Sequence, residues 1–130
     1  MTDVVAQLVD LHVMRWQEGA PRYLVMRRSP NEIYEHIWQG VTGKINTGET
    51  AWQTCLRELK EETGLEPTHL WAVDHVNLFY EPATDTLHTI PVFGAEVEER
   101  EVVLSKEHQE YRWCSVEEAA ALLLWYQQRR

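Results

Sequence analysis

The sequence predicts an α+β or mixed α/β sandwich built around one sheet, and three observations carry that expectation. Apolar, β-branched runs bounded by turn residues lie on both sides of a central amphipathic helix. That helix and a second one near the end of the chain each open on a capping signal. The length, 130 residues, suits one proper core, so residues 1–130 are expected to form a single domain.

Residues 4–16 (VVAQLVDLHVMRW) read as strand, are broken by Glu18-Gly19-Ala20-Pro21, and are followed by a second strand from Tyr23 to Arg28. Ser29-Pro30-Asn31 is a turn signal, and Trp38 to Thr42 has the look of a short strand. Tyr34, His36 and Trp38 are flat or polar-tipped groups suited to flank a base, with core packing the competing role for Trp38. The central helix starts near Ala51, because Thr50 and Gln53 have the spacing of a capping box. Gly64 supplies the left-handed residue that ends it, and Pro67 forbids its resumption, leaving about three and a half turns.

Beyond the helix, residues 71–81 (WAVDHVNLFYE) alternate as a strand with Val73, His75, Asn77 and Phe79 on one side. Pro82-Ala83-Thr84-Asp85 turns the chain, and 86–97 returns to complete a hairpin. Pro91 and Gly94 place the returning strand at an edge or beside a bulge. His75 and His88 are set to face each other across this hairpin or to lie in a base pocket. No histidine is assigned to a metal, since hard Mg²⁺ prefers oxygen. Glu98-Glu99-Arg100-Glu101 is a charged turn, 105–110 a loop, and Tyr111 to Cys114 a strand. Ser115 and Glu118 then cap a final helix whose core face is Ala119, Ala120, Leu123 and Leu124, with Leu122 adjoining.

Apolar and charged contents of 44% and 25% are those of an ordinary soluble chain. The longest apolar run, Ala119 to Tyr126, is far short of the roughly 18 residues that span a bilayer, and no basic-then-apolar leader opens the chain. A cytoplasmic protein with no membrane partner is expected. A net charge of −9 argues against binding polymeric nucleic acid, which requires Lys and Arg to displace counterions. A small polyphosphate stays compatible, because bound Mg²⁺ inverts the local field. Two cysteines, Cys55 and Cys114, are too few for a disulfide framework, and Cys55 lies on the core side of the helix as a small hydrophobe.

On a wheel of roughly 100° per residue, Trp52, Cys55, Leu56, Leu59 and Thr63 share the arc that faces the core. Glu58, Glu61 and Glu62 stack in a neighbouring arc. Like charges at this spacing destabilise a bare helix by about a few tenths of a kcal/mol per pair. A hard divalent cation holding a phosphate chain removes that cost; a merely solvated acidic face is the competing reading. Arg57, four residues before Glu61, is placed to orient a ligating carboxylate. Arg27 and Arg28 end a strand, from which one of them is expected to reach a phosphate with its guanidinium fork.

Spacing decides between the two readings of the acidic face. The segment 43–65 runs Gly43, five residues, Glu49, seven residues, Arg57-Glu58-Leu59, one residue, Glu61-Glu62, one residue, Gly64-Leu65. A chance match to such a pattern has a likelihood on the order of 10⁻⁸ at average composition. The segment resembles a complete Nudix box. The runs 38–53 (WQGVTGKINTGETAWQ) and 107–113 (EHQEYRW) resemble the dATP and dihydroneopterin triphosphate pyrophosphohydrolase branch of that family.

The resemblance implies an α/β/α sandwich with a mixed sheet. It implies that Glu58, Glu61 and Glu62 bind a divalent metal, Mg²⁺ with Mn²⁺ as a substitute. The Gly43 carbonyl is then a further ligand, and Glu49 supports the site. By the same token Glu107 reaches back to the metal as a fourth carboxylate or general base, with Glu110 as fallback. The implied reaction hydrolyses a phosphoanhydride of a nucleoside or pterin triphosphate to monophosphate and pyrophosphate. Glu58, Arg57, Glu61 and Glu107 would carry the chemistry; Arg27, Arg28, Trp38 and Tyr80 would bind substrate.

Two other readings stand beside it. One is a hydrolase of diadenosine polyphosphates or nucleotide sugars. Tyr80 and Pro82 fall near, but not at, the positions after the box that mark those activities in the family. The other is a module that senses a nucleotide without turning it over; such modules have eroded boxes, whereas this one keeps every acidic position. A homodimer remains open.

Overall fold

Strands whose alternate residues are apolar on both faces need a cover on each side, and this requirement sets the layers. The computed structural model describes residues 1–30 and 36–129, with side chains as far as Leu123. The elements in chain order are β1 (Asp3–Val5), β2 (Leu8–Gln17), β3 (Ala20–Arg28), β4 (Trp38–Gln39), β5 (Val41–Lys44), α1 (Ala51–Thr63), β6 (His69–Glu81), β7 (Thr86–Glu96), β8 (His108–Cys114) and α2 (Val116–Arg129). Among the described residues the strands form one eight-stranded sheet. It is mixed: β7 runs parallel to β1 and to β2, while the remaining pairs are antiparallel.

One core fills the space between the sheet and α1. Val9, Leu11, Val13, Leu24, Met26, Val41, Phe93 and Ala95 meet Cys55 and Leu59 of the helix there. On the opposite side Val25, Cys114, Tyr23 and Trp38 pack against Ala119, Leu122 and Leu123 of α2. Each fully buried Leu, Val or Met side chain contributes about 1.5–3 kcal/mol relative to exposure. The result is the three-layer α/β/α sandwich expected from the sequence.

The β2–β3 hairpin turns on Glu18 and Gly19, both with positive φ (52° and 78°). Two left-handed residues in a two-residue loop match the right-handed twist of the strands they join.

Several expectations change in the structure. The run 4–16 is split into β1 and β2, because the long strand β7 takes β1 along its first half and β2 along its second. β7 is therefore interior, with β6 on its other side, and is not an edge. The bulge lies in β6, where the register shifts between Ala72 and Val76, opposite Pro91, which has no N–H to offer the ladder. That shift breaks the expected alternation, leaving Val73 and His75 exposed and Asn77 and Phe79 half-buried. His75 and His88 do not face each other. His88 pairs with Phe79 and stacks on its ring at 5.6 Å, while His75 bonds Asn77 at 3.0 Å.

Trp52 is 49% exposed rather than core, and Ala120 is exposed on α2. β8 begins at His108, within the segment read as a loop. Tyr34 and the side chain of Leu124 lie outside the described residues.

Candidate active site

The site begins with the local chemistry that starts α1. Thr50 Oγ1 accepts from the Gln53 backbone N–H at 3.2 Å, and Gln53 Oε1 accepts from the Thr50 N–H at 2.9 Å. This reciprocal pair sets the phase of every later residue on the helix. At the far end Gly64 adopts φ 76° and donates its N–H to the Lys60 carbonyl. The helix lies against β5 so closely that a Cβ on Gly43 would clash with Glu58 Cγ. Only glycine permits that approach, and the missing side chain gives Glu58 its seat.

Arg57 is the hub of the outer half of the site. Its Nε donates to Glu49 Oε2 at 2.7 Å and its Nη2 to Glu49 Oε1 at 3.1 Å. Nη1 donates to Glu58 Oε1 at 2.6 Å and to Glu61 Oε2 at 3.2 Å, while Nη2 also reaches the Lys44 carbonyl at 2.9 Å. The pairing with Glu61 expected from helix spacing is thus present, but it is the longest of the carboxylate contacts. Glu49 receives two further hydrogen bonds, from Thr54 Oγ1 at 2.7 Å and from the Asn46 N–H at 3.1 Å. Arg57, then Thr54 and Asn46, hold the Glu49 carboxyl down at about 2. With its lone pairs so engaged, Glu49 acts as a brace for Arg57.

The inner half is buried and acidic. Glu62 is 2% exposed, and among the described residues neither of its carboxylate oxygens has a hydrogen-bond donor. Burial, and next the neighbouring Glu58, push its pKa well above the ordinary carboxylate range. Glu107 and His108 bring ligand atoms within 4.8 Å of Glu62 and of one another. The Glu107 segment is held by Ser29, whose N–H donates to the Glu107 carbonyl at 2.9 Å and whose hydroxyl donates to the Lys106 carbonyl at 2.8 Å. Arg28 stands opposite His108 in the β3–β8 ladder, and its charge acts on both Glu62 and His108.

A cation fits this arrangement. Two orphaned, buried carboxylate oxygens, an adjacent Glu58 seated on Gly43, and an exposed Glu107 form a hard oxygen donor set of the kind Mg²⁺ takes. Glu61, with its side chain 56% exposed, stands at the rim.

The other residues singled out in the sequence are distributed more widely. Arg27 pairs with Glu110 at 3.1 Å, so both the second arginine and the fallback carboxylate are committed to each other. Trp38 packs in the α2 core with the Arg112 guanidinium 4.7 Å over its ring. Tyr80, on the β6–β7 hairpin, donates to Asp85 at 2.7 Å. Burial pushes the Cys55 thiol up to about 12, which makes it a poor nucleophile and a good core residue. His108 is the residue that sequence reasoning missed. Its adjacency to Glu107 in the EHQEYRW run was the available signal.

Comparison with known proteins shows the family. The family model of the NUDIX domain matches residues 8–130. A mouse protein named bis(5'-nucleosyl)-tetraphosphatase [asymmetrical] is 38% identical over 91 residues, which are 67% of this chain and 61% of that protein. The matched part thus spans about three fifths of the mouse relative. The dihydroneopterin triphosphate diphosphatase of Escherichia coli (strain K12) is 28% identical over 127 residues, covering 88% of this chain and 82% of the relative. Among solved structures, the MutT protein from Methanosarcina mazei Go1 superposes with a TM-score of 0.76 at 26% identity, over 98% of this chain and 93% of that one. With its box carboxylates gathered on α1 and the family pattern running from β2 to the end of the chain, the protein belongs to the Nudix family.

Proposed function

We propose that this chain is a divalent-metal-dependent pyrophosphohydrolase. Its leading substrate class is a nucleoside or pterin triphosphate, cleaved to the monophosphate and pyrophosphate. The observation that carries this reading is Glu62: a carboxylate kept out of water, with neither oxygen partnered among the described residues, is stable only with a proton or a cation beside it. In this reading Glu58, Glu61, Glu62 and Glu107, with the Gly43 carbonyl, hold Mg²⁺, or Mn²⁺ in its place. When bound, the cation neutralises phosphate charge and lowers the pKa of coordinated water.

The chain's own residues do the rest. Arg57, braced by Glu49, fixes the carboxylate of Glu58 and steadies Glu61. Glu107 takes the proton of the attacking water, as the most exposed carboxylate of the inner group. The water oxygen bonds to phosphorus, one bridging P–O bond breaks, and pyrophosphate leaves. Of the two strand-end arginines, Arg28 is the one whose charge acts on Glu62 and His108, and it supplies the phosphate contact. Arg27, Trp38 and Tyr80 are the further substrate-binding candidates, engaged here with Glu110, Arg112 and Asp85.

A second reading, hydrolysis of a dinucleoside polyphosphate, is favoured by the 38% identity to the mouse tetraphosphatase. The proposal also includes a single catalytic domain working in the cytoplasm on a small nucleotide rather than a nucleic acid polymer. Among the described residues no helix is long and apolar enough to cross a membrane.

The test is phosphate release from a Mg²⁺-loaded panel of nucleoside triphosphates, dihydroneopterin triphosphate, diadenosine tetraphosphate and ADP-sugars, with pyrophosphatase and phosphatase coupling run separately. Pyrophosphate from a triphosphate supports the leading reading. Signal confined to the dinucleoside substrates selects the second. Turnover of Glu61→Gln and Glu62→Gln within a few-fold of wild type would reject both.

A further inference from the structure

Gln39 and His108 are buried polar residues on adjoining parts of the sheet, and nothing in the proposed chemistry uses them. Gln39 lies on β4 opposite Met26 of β3, and His108 opens β8 opposite Arg28. Gln39 Nε2 is 2.8 Å from His108 Nε2, and the other ring nitrogen, Nδ1, faces Glu62 Oε1 at 3.8 Å. Among the described residues His108 Nδ1 and both Glu62 oxygens lack hydrogen-bond partners.

We infer that His108 is a positioning residue: held at Nε2 by Gln39, it presents Nδ1–H to Glu62 and orients that carboxylate toward the cation without ligating the cation itself. This inference rests on the proposed function for the identity of what Glu62 holds; the tautomer of the ring does not depend on it.

The chemistry runs through two constraints that agree. An amide nitrogen donates and does not accept, so the ring Nε2 in contact with Gln39 Nε2 is the acceptor. A neutral imidazole then carries its one proton on Nδ1. Turning the Gln39 amide over would move the ring proton to Nε2 and leave the Nδ1 lone pair facing a carboxylate. Both residues are almost fully shielded from water, at 3% and 2% exposure, so that arrangement has no solvent to relieve it. The Gln39 contact therefore selects the Nδ1–H tautomer by itself, and Glu62 held as a carboxylate on the cation favours the same one.

The alternative is direct ligation, since Glu62, Glu107 and His108 offer three donor atoms within 4.8 Å. Ligation through Nδ1 needs a lone pair there and so requires surrendering the hydrogen bond from Gln39. A separation of 3.8 Å is too long for a hydrogen bond. Closing it to the usual ~2.9 Å takes a small shift of the Glu62 carboxylate as it ionises on the cation. Among the described residues Arg28, Glu58 and Glu107 are the other charged groups acting on this pair, and burial, then the charge of Arg28, disfavours a second proton on the ring.

Long-range ¹H–¹⁵N correlation on the full chain, labelled at histidine, reads the tautomer directly. The expected result is a protonated Nδ1 and an unprotonated Nε2, with and without Mg²⁺; an Nε2–H ring overturns the inference. Mn²⁺ titration followed by electron paramagnetic resonance supplies a second readout. His108→Asn, whose amide nitrogen sits near the position of Nδ1, should keep Mn²⁺ affinity close to wild type. His108→Leu should weaken it by about 10–100-fold, the usual effect of losing an outer partner of a metal ligand. Equal losses in the two variants, or imidazole nitrogen coupling to Mn²⁺ in the wild type, reject the positioning role. A wild type that binds no Mn²⁺ rejects the proposed function instead, and the tautomer still decides this inference.

Discussion

At the scale of single residues, charge in the site is organised by opposite treatments of two glutamates. Glu49 is wrapped in donors and held ionised, whereas Glu62 is stripped of donors and held back from ionising. The signs of their pH effects follow. The folded-state pKa of Glu62 lies above its ordinary 4.5, so the folded chain keeps a proton that the unfolded chain releases. Its stabilising contribution is complete below that value and declines as pH rises toward the raised one. Glu49 does the reverse: its contribution is present above 4.5 and is lost as pH falls toward about 2. In metal-free protein, the urea midpoint of wild type should therefore fall more steeply than that of Glu62→Gln as pH is raised from about 5 to about 8. Parallel curves would remove Glu62 as the buried acid. Arg57→Lys keeps the charge and loses the planar fork that spans Glu49, Glu58 and the Lys44 carbonyl. Steady-state kinetics should show kcat/KM reduced by about 10–100-fold with an unchanged circular dichroism spectrum.

Among the elements, α1 carries most of what could be read in advance. Thr50, Gln53 and Gly64 set its ends through contacts with their own neighbours, so local sequence suffices to place them. Thr50→Ala removes the side-chain half of the capping box and should cost about 1 kcal/mol, measured as a lower urea midpoint with an unchanged m value. The β6–β7 hairpin was legible as a hairpin but not in its register. The bulge between Ala72 and Val76 answers the missing N–H of Pro91, and whether Pro91 sits at an edge depends on strands far away in sequence. For the same reason the sequence pattern places the start of β8 at Tyr111 rather than at His108. Its first residue, His108, is polar and is buried only because Gln39, Arg28 and Glu62 surround it.

For the whole molecule, metal and fold are linked. A cation that binds the folded acidic cluster, and not the unfolded chain, adds RT ln(1 + [L]/Kd) to stability, about 2.7 kcal/mol at a hundredfold excess over Kd. Thermal unfolding should therefore shift upward with Mg²⁺ concentration and return on adding EDTA, with most of the shift absent in Glu62→Gln. A Mg²⁺-independent melting temperature in wild type would argue that the cluster holds a proton rather than a cation. The net charge of −9 works in the same direction, since neutralising part of it relieves self-repulsion in the compact state.

Sequence alone determined the phase and length of α1 and the grouping of Glu58, Glu61 and Glu62 on one helix face. These follow from periodicities and caps encoded within a few neighbouring residues. Only the tertiary structure decided that Glu62 is buried while Glu61 stands at the rim, that Trp52 faces solvent, and that Arg27 turns to Glu110 while Arg28 meets the acids. It also decided that Glu107 and His108 close over Glu62. Desolvation and long-range pairing depend on which distant segments pack across a residue, and helical spacing holds no information about that.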